Sequence, residues 1–244
     1  MGNPINGGNR TLSPPERNNF FYGKLMDVAQ WQKDQRYLDL KRALFNRVVL
    51  GSGVACGLDL VATKEGRIVV QPGVAIDGWG REIVVPAAVT IDPHQLTDDS
   101  GGPAGDPLQS GVVSVCLAYA ESSLDLEPVL VLDCDTHGAC APGTIREGFR
   151  MLVRAADDEI PPPPSCGLGE FPLPTEGKLH EELVKRIGTA FSDGPADACV
   201  PLGRVKLDGP SIDVGAGRRL IYGNALLFEL ILCLAERVDA LVNP

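Results

Sequence analysis

The sequence is poor in aromatics, histidine and basic clusters, and each shortage narrows the function. Aromatic residues make up 5% of 244 positions, so a sugar-stacking groove or a base-stacking platform has little raw material. The only imidazole bases are His94, His137 and His180, and no Ser or Cys sits in a strand-turn-helix nucleophile elbow, which argues against hydrolysis. Lys and Arg number 22 against 32 Asp and Glu, a net charge of −10, and no dense Lys/Arg cluster interrupts it. Such a surface repels phosphate. It argues against nucleic-acid binding by counterion release and against attraction to anionic membranes.

Long apolar runs are missing too. The most apolar stretch, Leu220 to Val242, is broken by Glu229, Glu236 and Arg237, so no run of about 18 uncharged residues exists and direct membrane insertion is not expected. Residues Met1 to Gly8 show neither a basic nor an apolar signal region, and Asn6 stands where a myristoylation motif wants Ser or Thr. The expectation is a cytoplasmic product with reduced thiols.

What the chain does have is 28 glycines, 20 prolines, and 44% hydrophobic against 22% charged residues. That composition belongs to a folded, turn-rich protein, and the length suffices for a sizeable core. Residues 1–26 carry Gly, Asn, Pro and Ser without periodicity and then Phe20, Phe21 and Tyr22, which reads as an extended docking arm. Asp27 can cap the helix predicted over 27–50, where Val28, Trp31, Leu38, Phe45 and Val49 recur at helical spacing. From Gly51 the period becomes that of strands. Strands are predicted at 54–61, 68–71, 74–76, 83–85, 89–91, 112–119, 129–132, 146–154 and 202–207, the last being the final one. The segment Asp77-Gly78-Trp79-Gly80-Arg81 reads as a hairpin turn. Residues 93–111 and 157–178 are loops, the second containing four successive prolines, Pro161 to Pro164, which exclude helix and sheet interior. Residues 179–191 suggest a short helix, and 220–242 a helix apolar over most of its circumference.

Two constellations invite chemistry. The glycine-rich run Gly51 to Gly57 follows a helix and precedes a strand, the inverse of a dinucleotide-binding loop, so it reads as a chain reversal. Cys134, His137, Cys140, Cys166 and Cys199 could supply a structural zinc or a disulfide, against separate free cysteines. Zinc modules pair ligands two to four residues apart, whereas Cys134 and Cys140 enclose five residues. Cys56, Cys116 and Cys233 lie in apolar stretches and read as packing residues. A hydrolase using His137 with Cys134 or Cys140 is the weakest of the readings.

Several segments resemble one family. Asn18 to Met26, Gln35 to Leu38, Phe45 to Arg47 and Gly51 to Leu58 are similar to proteins from gene clusters of extracellular contractile injection systems, the phage-tail-like particles of bacteria. The likeness continues through Gln71 to Asp77, Gly80 to Ile83, Ile145 to Arg150, Arg218 to Tyr222 and Leu230 to Val238. It implies a non-enzymatic subunit at the baseplate periphery, cage or fibre attachment, present in several copies. Such a chain would be assembled in the cytoplasm and then carried in a released or membrane-anchored particle.

The expectation is therefore an α+β protein. An arm at 1–26 leads into a single domain over 27–244, whose β-rich core, sandwich or barrel-like, spans 51–207 and is covered by the helices at 27–50 and 220–242. Partner docking is expected from Phe20, Phe21, Tyr22, Lys24 and Trp31, toward other particle subunits and other copies of the chain. The rival reading is a metal-stabilised or carbohydrate-recognising adhesion module of a tail fibre.

Overall fold

The run Val112 to Tyr119 is apolar at nearly every position, so the strand that carries it needs cover on both faces and a partner on each edge. The computed structural model, which describes residues 13–129, 140–156, 193–215, 217–223 and 227, places it at the centre of the largest sheet. Among the described residues, numbered along the chain, the elements are α1 (Val28–Phe45), with a π-helical turn at Asn46–Leu50, and ten strands. The strands are β1 (Gly53–Gly57), β2 (Leu60–Ala62), β3 (Ile68–Val70), β4 (Gly73–Ile76), β5 (Glu82–Val85) and β6 (Val89–Ile91), followed by β7 (Ser110–Pro128), β8 (Cys140–Ala156), β9 (Val200–Asp208) and β10 (Ser211–Gly215). They form three antiparallel sheets, ordered β1-β4-β5, β2-β3-β6 and β10-β9-β7-β8.

One core joins the three sheets. Val54 comes from the first, Ile68 and Val70 from the second, and Val113, Val115, Leu117, Leu202 and Val205 from the third, all buried in one cluster. Alternation along β7 sends Val113, Val115 and Leu117 into that cluster. The architecture is β-rich with one described helix, as expected in class, and it differs from the sequence reading in several elements.

The predicted strand 54–61 is broken in two. Gly57 and Leu58 both take positive φ, 62° and 60°, and a Cβ on Gly57 would lie 2.0 Å from the Pro72 carbonyl oxygen, so the chain turns where only glycine fits. The kink moves β2 out of the first sheet and into a hairpin with β3, Leu60 opposite Val70. Arg218, returning from the C-terminal side, donates to the Gly57 carbonyl and pairs with Asp59 across that kink.

β7 runs far beyond 119. It pairs with β8 from Val112 opposite Ala156 to Pro128 opposite Cys140, so its partner is an extended version of the 146–154 strand, while the predicted 129–132 strand, apart from Val129, lies outside the described residues. β9 covers β7 only from Ser110 to Leu117. Beyond that point β7 and β8 project as a two-stranded ribbon with exposed ends, Leu126 and Ile145 among them. Leu202 to Leu207 is not the final strand either, because Asp208-Gly209-Pro210 turns the chain into β10.

Two expectations about helices need correcting. No helix begins at Leu220: that residue bridges in parallel to Val54, with Val54 N donating to Arg219 O and Ile221 N donating to Val54 O. Leu227 is helical, its N–H donating to Gly223 O at 3.0 Å, and the rest of the predicted 220–242 helix beyond Gly223 lies outside the described residues, as do the predicted helix at 179–191 and the proline loop. The second correction is larger. α1 forms where Asp27 predicts it, with a capping box in which Asp27 Oδ1 accepts from Gln30 N at 3.1 Å and Gln30 Oε1 accepts from Asp27 N at 3.3 Å. It does not cover the sheets. Of its residues only Ala43 is buried.

Candidate functional site

Among the described residues, α1 meets the body around the hairpin between β4 and β5. The turn between β4 and β5 is built on Asp77, whose side chain is almost wholly inaccessible. Asp77 Oδ1 accepts from Trp79 N and Arg81 N, both at 2.9 Å, and Oδ2 accepts from Arg81 Nε at 2.7 Å. A buried carboxylate held by two backbone donors and a guanidinium is fully satisfied, and it fixes the hairpin tip. Arg81 is in turn stacked between two rings, 4.5 Å from the Trp79 centroid and 4.3 Å from that of Tyr119.

α1 sits on that tip by its last turn. Gly80 has φ 87°, and a Cβ there would come within 2.1 Å of the Ala43 carbonyl oxygen, so the helix end and the hairpin touch backbone to backbone. Asn46, buried, donates through Nδ2 to Gly80 O at 2.8 Å and to Glu82 Oε1 at 2.9 Å. Arg42 adds an ion pair with Glu82 at 3.1 Å. From this anchor the other turns of α1 stand away from the sheets. Val28, Trp31, Leu38 and Phe45 are all exposed.

Four of the five predicted docking residues are consequently open to a partner. Phe20, Phe21, Tyr22 and Trp31 present their rings to solvent. Lys24 instead turns back on the arm, where its Nζ donates to Asn18 Oδ1 and, at 2.9 Å, to Asn19 O, and lies 5.8 Å from the Phe21 centroid. With Lys24 N donating to Phe21 O at 3.1 Å, the lysine closes the turn that displays the aromatic trio. The Glu16–Lys33 ion pair at 2.8 Å ties the arm to the helix.

A second feature lies beneath the hairpin. A groove of about 800 Å³ is lined by Trp79, Arg81, Tyr119, Arg150, Arg154 and Asp197. Its cations are already engaged. Arg81 pairs with Asp77, Arg154 with Asp99 at 3.0 Å and with Asp197, and Arg150 donates to Asp99 O at 3.0 Å. Burial works against the charge of Arg154, and Asp197 and Asp99 outweigh it, so the guanidinium is held more firmly charged. Burial raises the Tyr119 hydroxyl well above its usual range, reinforced by its 2.9 Å hydrogen bond to Glu121 and by Glu147. A phenol held neutral beside two carboxylates offers no phenolate. Arg81 and Arg154 are paired with carboxylates, while Arg150 meets a backbone carbonyl.

The cysteines do not assemble as the sequence suggested. Cys199, a candidate zinc ligand, is joined in a disulfide to Cys116, whose apolar neighbours in sequence mark it as a packing residue. Cys140 is free and exposed at the start of β8, and Cys56 is likewise exposed and not packed, because a bulge between Val54 and Cys56 breaks the alternation that would have placed it beside the buried Val54. Cys134, His137 and Cys166 lie outside the described residues. Among the described residues no three His, Cys, Asp or Glu side chains converge to hold a metal ion. The sequence offered no signal for the Cys116–Cys199 pair, whose members are 83 residues apart. The Asp77–Arg81 clamp could have been found as an acid and a base four residues apart around a glycine-flanked turn.

No protein-family model and no curated protein matches the chain. Among solved structures, the crystal structure of TssK is similar over 82% of this chain, with 12% identity and a TM-score of 0.36. The match takes in 41% of the TssK chain, and a likeness that loose assigns neither fold nor function to this one.

Proposed function

We propose that this protein is a non-enzymatic structural subunit of a contractile injection particle, placed at the baseplate periphery, the cage or a fibre attachment. The observation that carries the docking role is the exposure of Phe20, Phe21, Tyr22, Trp31, Leu38 and Phe45 on an arm and a helix that the body leaves uncovered. Helices in proteins draw most of their stability from packing an apolar face, and an exposed apolar surface of this kind marks an interaction site. The assignment to a contractile particle rests on the resemblance of the segments around Phe20–Tyr22, Gly51–Leu58 and Gln71–Asp77.

In this reading the chain is made and assembled in the cytoplasm, in several copies, and then carried in a particle that is released or anchored to a membrane. The Cys116–Cys199 disulfide departs from the expectation of reduced thiols, and it suits a protein that spends its working life in an oxidising medium. The rival carbohydrate-binding role loses support because Arg81 already occupies a face of Trp79 and of Tyr119, the rings nearest the groove.

Mass analysis of purified sheath-tube-baseplate particles tests the reading, and the chain should be a stoichiometric component. Deleting residues 1–22 should leave a folded core and abolish incorporation. Particles that lack the intact chain, or that take up the truncated one normally, would refute it.

A further inference from the structure

The exposed stripe of α1 has a stricter period than partner docking in general requires. Trp31, Leu38 and Phe45 are spaced seven apart, and Val28, Gln35 and Arg42 make a second series of seven, so the two alternate in steps of three and four. That is the repeat of a coiled-coil seam, which a helix shows when it packs lengthwise against another helix. Val28 is 70% exposed, Trp31 59%, Leu38 65% and Phe45 57%, so the seam is uncovered along the whole helix, about 27 Å at 1.5 Å per residue. The arm does not obstruct it. Its ion pair reaches Lys33, two residues on from Trp31 and so about 200° around the helix.

Charge beside the seam selects the occupant and its direction. Asp34 and Lys41 flank one side of the seam, and Gln32 and Asp39 the other. In a parallel pair Asp34 would face Asp39 of the second copy, two like charges. In an antiparallel pair centred between Arg36 and Tyr37, Asp34 faces Lys41 of the second copy and Lys41 faces Asp34, while Gln32 meets Asp39. The seam layers then place Val28 on Phe45, Gln35 on Leu38, and Trp31 on Arg42, the last a cation over an indole. Arg42 is half-exposed although it pairs with Glu82, so its guanidinium is within reach of a second helix.

We propose that α1 binds α1 of a second copy of this chain, antiparallel about a two-fold axis, through the seam Trp31, Leu38 and Phe45 flanked by reciprocal Asp34–Lys41 pairs. This names one partner of the docking surface and holds even for a chain with no part in an injection particle. Self-complementarity supports it: one helix carries both the acidic and the basic half of the contact, as an isologous interface requires.

Sedimentation equilibrium of the full chain should give a dimer, and Leu38→Glu a monomer with an unchanged circular dichroism spectrum. Asp34→Lys should weaken the dimer about tenfold, since symmetry turns two attractive pairs into two repulsive ones, and adding Lys41→Asp should restore it. A wild-type chain that stays monomeric at its highest soluble concentration would overturn the proposal, as would a dimer indifferent to Leu38→Glu. A dimer tightened by Asp34→Lys alone would overturn the antiparallel arrangement, because parallel helices would gain a Lys–Asp39 contact. Deleting residues 1–22, which probes the particle reading, should leave this dimer intact, so the two can fail separately.

Discussion

The body and the helix that projects from it use the same apolar residue types to opposite ends. In the body, Val113, Val115 and Leu117 are sealed between sheets, each strand covered by its neighbours. Along α1, Trp31, Leu38 and Phe45 point to solvent, and the helix is held by Ala43, Asn46 and Arg42 at one end. An apolar side chain is evidence of burial, and it does not say against what. The β-body satisfies its apolar surface within one chain, whereas the arm and helix leave theirs exposed.

This contrast can be broken at three points. The largest effect should come from the clamp under the helix. Asp77→Ala leaves the Arg81 guanidinium half-buried without its counter-charge and strips the acceptor from Trp79 N and Arg81 N, so it should cost about 3–5 kcal/mol. Urea unfolding measures this, and a loss below about 1 kcal/mol would mean the hairpin tip does not depend on the carboxylate.

Next comes a paired substitution of one residue type in the two regions. Leu117→Ala opens a cavity in the core and should cost about 2–5 kcal/mol, while Leu38→Ala, in dilute monomer, should stay within about 0.5 kcal/mol of wild type. Equal losses would show that α1 packs on the body and that the contrast is false. Only at concentrations where copies associate should Leu38→Ala be felt.

The smallest effect concerns the joint. Gly80→Ala forces a side chain into a positive-φ position 2.1 Å from the Ala43 carbonyl, so it should cost about 1–3 kcal/mol and loosen the last turn of α1. Hydrogen exchange should quicken at the α1 end and not in β7. Uniform quickening would show that helix and body unfold as a unit.

Much of the fold could be read in advance, and the parts that could not share a cause. The capping box at Asp27, the hairpins around 64–67 and 77–81, and strands β3 to β6 are local, and local chemistry predicts them. The splitting of 54–61 at Gly57, the length of β7 and β8, the presence of β10 and the Cys116–Cys199 bond depend on segments far apart in the chain. Of the candidate site, Phe20, Phe21, Tyr22 and Trp31 were legible as aromatics in a poor aromatic background. The locking of Lys24 onto Asn18 and Asn19 was not, because it needs the turn to be closed.

That α1 exists, where it starts and which of its positions are apolar could all be read from the residues, since those follow from capping and from 3.6-residue periodicity. That Val28, Trp31, Leu38 and Phe45 are left exposed came from the packing of the folded chain. The reason is geometric: Gly80 admits backbone contact at the last turn, and Asn46 and Arg42 pin that end to the hairpin tip, so that among the described residues the hold on the helix is concentrated at one end.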